Sequence, residues 1–226
     1  MQTPDKPISW SYSGMSLFKQ CPKKYFHLKV QKDFKDKETE ALLYGSAVHK
    51  AAEDYITEKK PIPPQYKYME GYMNKIDAYE GDKHAEYKMG LREDGTPCTF
   101  HDPEVWWRGI ADLIVVNGEL SRVIDYKTGK TSRYADTVQL DLLALATFAH
   151  FPGVRVIKAA LIFVVANELV KRKYHRESSV PRLMQETRDS YVPFKEAYAT
   201  DVWNPKPNFT CHKYCPVAIC PHNGRN

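Results

Sequence analysis

The sequence predicts an α/β protein in which helices flank a mixed central β-sheet. Two apolar segments, 106–116 and 120–129, are joined by Asn-Gly-Glu, and this arrangement is typical of a β-hairpin. A strongly apolar helix, 134–150, then precedes a continuous apolar segment, 156–166, with the length of a buried strand. Strands that continue through a helix into a further strand indicate a sheet with parallel and antiparallel neighbours.

The whole chain, residues 1–226, is expected to form one domain with three parts. A helical front end covers 9–80. The sheet-forming core covers 84–177. The last part, 178–226, contains a helix and then a tail rich in cysteine. We expect three further elements at these positions: a helix over 41–59, a basic strand over 169–177 and a helix over 181–200.

Composition and charge limit the classes of protein that fit this chain. Its 226 residues are 42% hydrophobic and 27% charged, as in globular proteins with their own core. A net charge of +5 is compatible with a polyanionic partner. Neither an apolar run of about 18 residues nor the start of a signal peptide is present, so a cytoplasmic protein without a membrane segment is expected. No phosphate-binding loop of an ATP-driven motor occurs.

The segment 123–130, VIDYKTGK, places charged residues in an apolar strand. Because side chains alternate along a strand, Asp125 and Lys127 share one face with Val123, and Tyr126 points the other way. Two interpretations are open, a surface ion pair at the end of a strand or an active site. An isolated Asp-x-Lys favours the ion pair.

A second carboxylate strengthens the active-site interpretation. Asp112 precedes Asp125 by thirteen residues, and a hairpin turn near Asn117 would place their two strands side by side. Two carboxylates on adjacent strands offer the oxygen ligands that Mg²⁺ and Mn²⁺ prefer. A neighbouring lysine, Lys127, can orient a water molecule and neutralise negative charge on a phosphate. Together they predict a phosphodiesterase site.

The predicted helix 41–59 carries a third kind of ligand. Gly45, His49 and Glu53 recur every four residues and therefore lie along one side of it. Alone, His49 is more typical of a structural histidine, and Glu53 is expected to pair with nearby lysines.

The order of these motifs resembles one nuclease family. The chain contains Ser-x-Ser at 11–13, then CPKKYF, GSAVHKAAE, GIAD and VIDYKTGK, followed by a helix with a glutamine. This order resembles the RecB-like branch of the PD-(D/E)XK nucleases, which includes the nuclease domains of RecB and AddB and the CRISPR-associated RecB-like exonucleases. The resemblance covers residues 11–220. It implies the restriction-endonuclease-like core of that family.

The resemblance implies a role for each site residue. His49 is expected to be a metal ligand, and Asp112 and Asp125 are expected to be the acidic ligands of Mg²⁺ or Mn²⁺. The backbone carbonyl of Tyr126 would complete the coordination shell. Lys127 would position the nucleophilic water and stabilise the transition state.

Three further positions relate to the same family pattern. Gln139 corresponds in position to the glutamine of the family's Gln-x-x-x-Tyr helix. The resemblance implies that it contacts DNA. Leu143 stands where the family often has tyrosine, so a contact to DNA is expected to be missing. Glu86 stands where some relatives have a further acid, and the alternative is an exposed carboxylate at a strand end.

The cysteines indicate a second metal site. Cys211, Cys215 and Cys220 lie close together near the end of the chain, and Cys21 could supply a fourth ligand. The resemblance implies a [4Fe-4S] iron–sulfur cluster that joins the two ends of the chain. Zinc, with a histidine able to replace one cysteine, and thiols without any ligand are the alternatives. Cys98, in a predicted turn, is expected to lie outside this site.

The function implied is metal-dependent, sequence-independent DNA exonuclease activity in recombination, repair, processing or degradation. The basic segment 171–176 could follow a phosphate backbone. The implied setting is a bacterial cell or a phage-infected host, with a recombination or CRISPR-type protein as a candidate partner. A non-catalytic DNA-binding or assembly module and a structure-specific endonuclease are the alternatives.

Overall fold

A six-stranded mixed sheet forms the centre of the computed structural model, which describes residues 8–224. The strands follow the order β2-β1-β3-β4-β5-β6 across the sheet, and only β4 and β5 are parallel among the paired neighbours of this described sheet. Residues 1–7 and 225–226 of the predicted single domain lie outside the described residues. The strands are β1 (Asp82–Leu91), β2 (Pro97–Cys98), β3 (Trp107–Asn117), β4 (Leu120–Lys127), β5 (Val156–Phe163) and β6 (Glu168–His175).

Helices cover both faces of the sheet and confirm the predicted fold class. The helices α1, α5 and α6 pack on one face, and α3 and α4 pack on the other. Three shorter helical turns occur at Phe26–Val30, Pro64–Met69 and Phe209–Cys211. The α-helices are α1 (Tyr12–Gln20), α2 (Pro22–Tyr25), α3 (Glu40–Glu58), α4 (Glu70–Asp77), α5 (Val138–His150) and α6 (Arg176–Thr200).

The predicted hairpin is present. Asn117 pairs with Leu120, and between them Gly118 adopts a φ of 57°, a conformation that glycine tolerates without strain. The alternation of faces in β4 is also as predicted, because Val123 packs in the core on the α5 side, whereas Ile124 and Tyr126 pack in the core on the α3 side. The hairpin therefore fixes which side chains of β4 face each helical layer.

Two helices begin at positions different from the predicted ones. Helix α5 begins at Val138 rather than at 134, because Asp136 forms a turn before it in which the carboxylate accepts the N–H of Val138. Helix α6 begins at Arg176 rather than at 181. The Arg176 guanidinium donates to the backbone carbonyls of Val154, Phe148 and Phe151, which fixes the start of this helix.

The described part of the chain holds no helix with the length and apolar character that a membrane crossing requires.

Candidate active site

The strands β3 and β4 separate where the predicted carboxylates lie. Their pairing ends at Leu113 and Ile124. Beyond this pair, the backbone N–H of Tyr126 donates to Oδ2 of Asp112 over 2.6 Å. A carboxylate thus takes the place that a backbone carbonyl of the neighbouring strand would otherwise occupy. The bond holds Asp112 against β4 and fixes the orientation of its second oxygen.

His49, Glu86 and Asp112 form a compact cluster beside this opening. Helix α3 brings Nδ1 of His49 to 3.1 Å from Oδ1 of Asp112. One ligand atom from each of the three residues lies within 4.8 Å of the other two. Within residues 8–224, this is the one such group of histidine, cysteine and acidic side chains. The cluster contains the donor types that a divalent cation requires.

Glu86 enters the cluster through an unusual backbone conformation. It lies in β1 between the pairs Ala85–Leu113 and Tyr87–Ala111, opposite Asp112. Its φ is 47°, in the left-handed region where residues other than glycine are strained. Such strain occurs often at functional sites, where the surrounding structure holds a side chain in a required position.

The electrostatics of the cluster reflect an excess of negative charge. Burial lowers the pKa of His49, but its hydrogen bond with Asp112 and the surrounding carboxylates raise that pKa, and the net shift is upward. The pKa of Glu86 is also raised, first by burial and then by the charge of Asp112. A bound cation would relieve the repulsion from Asp112 that causes part of the upward pKa shift of Glu86.

Asp125, Lys127 and Gln139 form a second, connected group. Nζ of Lys127 lies 2.7 Å from Oδ2 of Asp125 and donates over 2.7 Å to Oε1 of Gln139. The amide nitrogen of Gln139 donates to Oδ1 of Asp125. Gln139 lies in the first turn of α5, so this helix orients both charged residues of β4. The predicted ion pair between Asp125 and Lys127 is present, and it is part of a larger network.

Asp125 is nearly inaccessible, with a side-chain exposure of 3%, and Nζ of Lys127 lies 2.7 Å from its Oδ2. Lys127 acts on this carboxylate through its charge and through a hydrogen bond. Burial, followed by repulsion from Asp112, raises the pKa of Asp125 to about 6, against the opposing effect of Lys127.

An open cavity of about 570 Å³ gives access to the cluster. Gly45, His49 and Glu53 all line it, which confirms that they share one side of α3. Glu53 also pairs with Lys50 over 3.0 Å, as expected for a structural partner of a lysine. The cavity is wide enough to admit a phosphate group beside His49 and Asp112.

The structure thus arranges the predicted residues in two groups. Asp112 links them, because it contacts His49 in one group and the backbone of Tyr126 next to the other. Glu86, which the sequence analysis considered only as a possible further acid, is the carboxylate that clusters with His49 and Asp112. Leu143 is 2% exposed and packs in the core, so the position of the family's tyrosine does not reach the site.

The four cysteines of the predicted second site line one cavity near the tail. The backbone N–H groups of Lys24 and Lys206 each donate to Sγ of Cys21 over 3.4 Å, and that of Asn208 donates to Sγ of Cys211 over the same distance. Cys98 lies in the edge strand β2, outside this group. Four cysteines line this cavity: Cys21, Cys211, Cys215 and Cys220.

Comparisons with known proteins identify the family and similar folds. The family model of the PD-(D/E)XK nuclease superfamily matches residues 9–78 and 65–221. The fold is similar to that of a solved Eubacterium rectale protein described as a "putative exonuclease", with 16% identity, a TM-score of 0.50 and coverage of 96% of this chain and 87% of that one. It is also similar to the solved protein SSO0001, with 15% identity, a TM-score of 0.45 and coverage of 97% and 89%. No curated protein sequence matches the chain.

Proposed function

The chain belongs to the PD-(D/E)XK nuclease superfamily, which implies hydrolysis of phosphodiester bonds, and we propose that it is a metal-dependent DNA exonuclease. One observation carries the proposal: the cluster of His49, Glu86 and Asp112 lies next to a buried Asp125 that is paired with Lys127. Acidic ligands beside a positioned ammonium group are suited to hydrolysis of a phosphodiester.

The residues at the site fit a divalent cation. Asp112, Asp125 and His49 would hold Mg²⁺ or Mn²⁺, together with the backbone carbonyl of Tyr126, and Glu86 is an additional ligand candidate. Bound there, the cation would polarise the scissile phosphate and lower the pKa of a water molecule. The burial of Asp125 and the cluster of His49, Glu86 and Asp112 beside it support this assignment.

Lys127 performs the remaining chemistry in this proposal. Its ammonium group, held by Asp125 and Gln139, would orient the attacking water and stabilise the negative charge that develops on the phosphate. Gln139 would keep this group at one position and would also contact the DNA backbone. In-line attack would leave a 5′-phosphate and a 3′-hydroxyl.

DNA without a defined sequence is the proposed substrate. The net charge of +5 and the basic strand β6 favour contact with phosphates, and no base-reading motif occurs in the sequence. Recombination, repair or DNA degradation in a bacterial or phage-infected cell is the proposed setting, and a recombination or CRISPR-type protein is the proposed partner.

Labelled linear and circular single-stranded DNA, each with Mg²⁺ or Mn²⁺, would test this proposal. We expect progressive shortening of the linear substrate and no cleavage of the circle. Lys127→Ala should abolish cleavage, whereas Lys130→Ala, a matched change at an exposed lysine, should not. Cleavage of the circle would favour an endonuclease. Binding without cleavage under either metal would favour the non-catalytic module.

We also propose that Cys21, Cys211, Cys215 and Cys220 hold a [4Fe-4S] cluster, with zinc as the alternative. All four cysteines line one cavity, as either group would require. Protein purified without oxygen should absorb near about 400 nm. A colourless, zinc-containing protein would support the alternative.

A further inference from the structure

Part of one sheet face is not covered by a helix of residues 8–224, and it forms a basic groove. Helices α3 and α4 pack against β3 and against the carboxyl-terminal halves of β4 and β5. On the same face, an open groove of about 680 Å³ lies between α4 and the strands β4, β5 and β6. We call this the basic groove, and its cations are Lys75, Arg122, Lys158, Lys171 and Lys173.

Three of these cations form a row across neighbouring strands. Arg122 of β4 is in register with Lys158 of β5, which is in register with Lys173 of β6. Like charges at directly opposed positions destabilise a sheet. Within the described residues, neither Lys158 nor Lys173 forms an ion pair with an acidic side chain. A negative group from another molecule would offset this repulsion.

The groove combines this charge with apolar and aromatic surface. None of its described lining residues is acidic. Ile124 and Ile162 contribute to its apolar floor, and Tyr72 and Tyr79 line its side. The guanidinium of Arg122 lies 4.2 Å from the centre of the Tyr79 ring. Cations that can follow phosphates, next to aromatic rings on which bases can stack, are the features of single-strand binding grooves.

The groove and the candidate active site share strand β4. Arg122 precedes Lys127 by five residues, which corresponds to roughly 17 Å along a strand. We propose that the basic groove binds a single-stranded part of the nucleic acid at a distance from the bond that is cut. This inference rests on the proposed function, since it assumes that the substrate is a nucleic acid. The groove would hold the strand while its end is hydrolysed.

Charge reversal in the row tests this inference. Lys158→Glu/Lys173→Glu would be compared with Lys88→Glu/Lys195→Glu, which makes the same change in net charge at exposed positions outside the groove. Binding of labelled oligothymidylate of about 30 nucleotides would be followed by anisotropy at several salt concentrations in EDTA, so that no cleavage occurs.

The groove variant should bind at least about tenfold more weakly than the control variant. The slope of log affinity against log salt should decrease in magnitude by about 1.4, since each lost contact to a single strand accounts for about 0.7. Equal affinity and equal slope in the two variants would overturn the inference.

A small phosphodiester substrate separates this inference from the proposed function. Bis(p-nitrophenyl) phosphate is too short to reach the groove, so both variants should hydrolyse it at the wild-type rate. If the wild type hydrolyses it but groove and control variants bind DNA equally, only the groove assignment fails. Binding of polyglutamate by the same two variants would also be measured. If the groove variant loses polyglutamate binding but binds DNA as the control does, the groove would be assigned to an acidic protein segment, and the proposal would be overturned.

Discussion

The backbone N–H of Tyr126 donates to Oδ2 of Asp112, so a side chain of β3 satisfies the backbone of β4 where the two strands separate. The bond explains how the site combines an opening in the sheet with a fixed carboxylate. Without an acceptor, the buried N–H of Tyr126 would destabilise the fold. With it, Oδ1 of Asp112 stays directed at His49.

Asp112→Asn should separate the structural role of this residue from its role in metal binding. The amide oxygen can still accept the N–H of Tyr126, so the melting temperature without metal should stay close to that of the wild type. The amide group that replaces Oδ1 is a poor ligand, so metal-dependent cleavage should fall by more than about 100-fold. Thermal denaturation with and without Mn²⁺ would measure both effects. Wild-type cleavage by this variant would remove Asp112 from the metal site.

Gln139→Met tests whether Gln139 acts through Lys127 or through DNA. Methionine has a similar shape but cannot hold the ammonium of Lys127 or the carboxylate of Asp125. If Gln139 positions these groups, kcat should fall by about 10- to 100-fold with little change in KM. If it contacts only the DNA backbone, KM should rise while kcat is retained. Steady-state kinetics on a linear substrate separates the two roles.

The hairpin part of the site could be predicted because its geometry is local. A two-residue turn after Asn117 fixes the register of β3 and β4, so the opposition of Asp112 and Asp125 follows from counting residues. The helical spacing that groups His49 with Glu53 is local in the same way. Short connections thus gave reliable positions for these side chains.

The contribution of Glu86 could not be derived in this way. Strands β1 and β3 are joined by a long connection that contains β2, so no tight turn fixes their register. The positive φ of Glu86 is imposed by the folded structure and has no glycine or asparagine to signal it. The basic groove could not be derived for a related reason, because its row of cations joins β4 to β5, a parallel pair connected through α5, and no tight turn fixes their register.

The metal-free protein should lose stability as the pH rises from about 4 to above 6. The folded-state pKa of Asp125 is raised to about 6, above its value of 3.8 in an unfolded chain. Its contribution is therefore fully present below 3.8 and is lost as the pH rises through about 6. The raised pKa values of Glu86 and His49 act in the same direction.

Asp125→Asn isolates this effect. In EDTA, the variant should be more stable than the wild type at pH 8, by up to about 3 kcal/mol, and the difference should shrink towards pH 4. Denaturant unfolding across this pH range would measure it. Added Mn²⁺ should stabilise the wild type but not the variant. A variant that is less stable than the wild type at pH 8 would contradict the assignment of a raised pKa to Asp125.

Cys21→Ser should detach the tail while leaving the nuclease site in place. Cys21 is the one member of the cysteine group from the front of the chain, and the backbone of Lys206 donates to its sulfur. Its loss should remove the absorbance near about 400 nm and expose the tail to proteolysis. Metal-dependent cleavage should persist, because the site lies on other elements. Cys98→Ser is the matched control and should keep both the absorbance and the protected tail. An unchanged spectrum in Cys21→Ser would exclude Cys21 as a ligand.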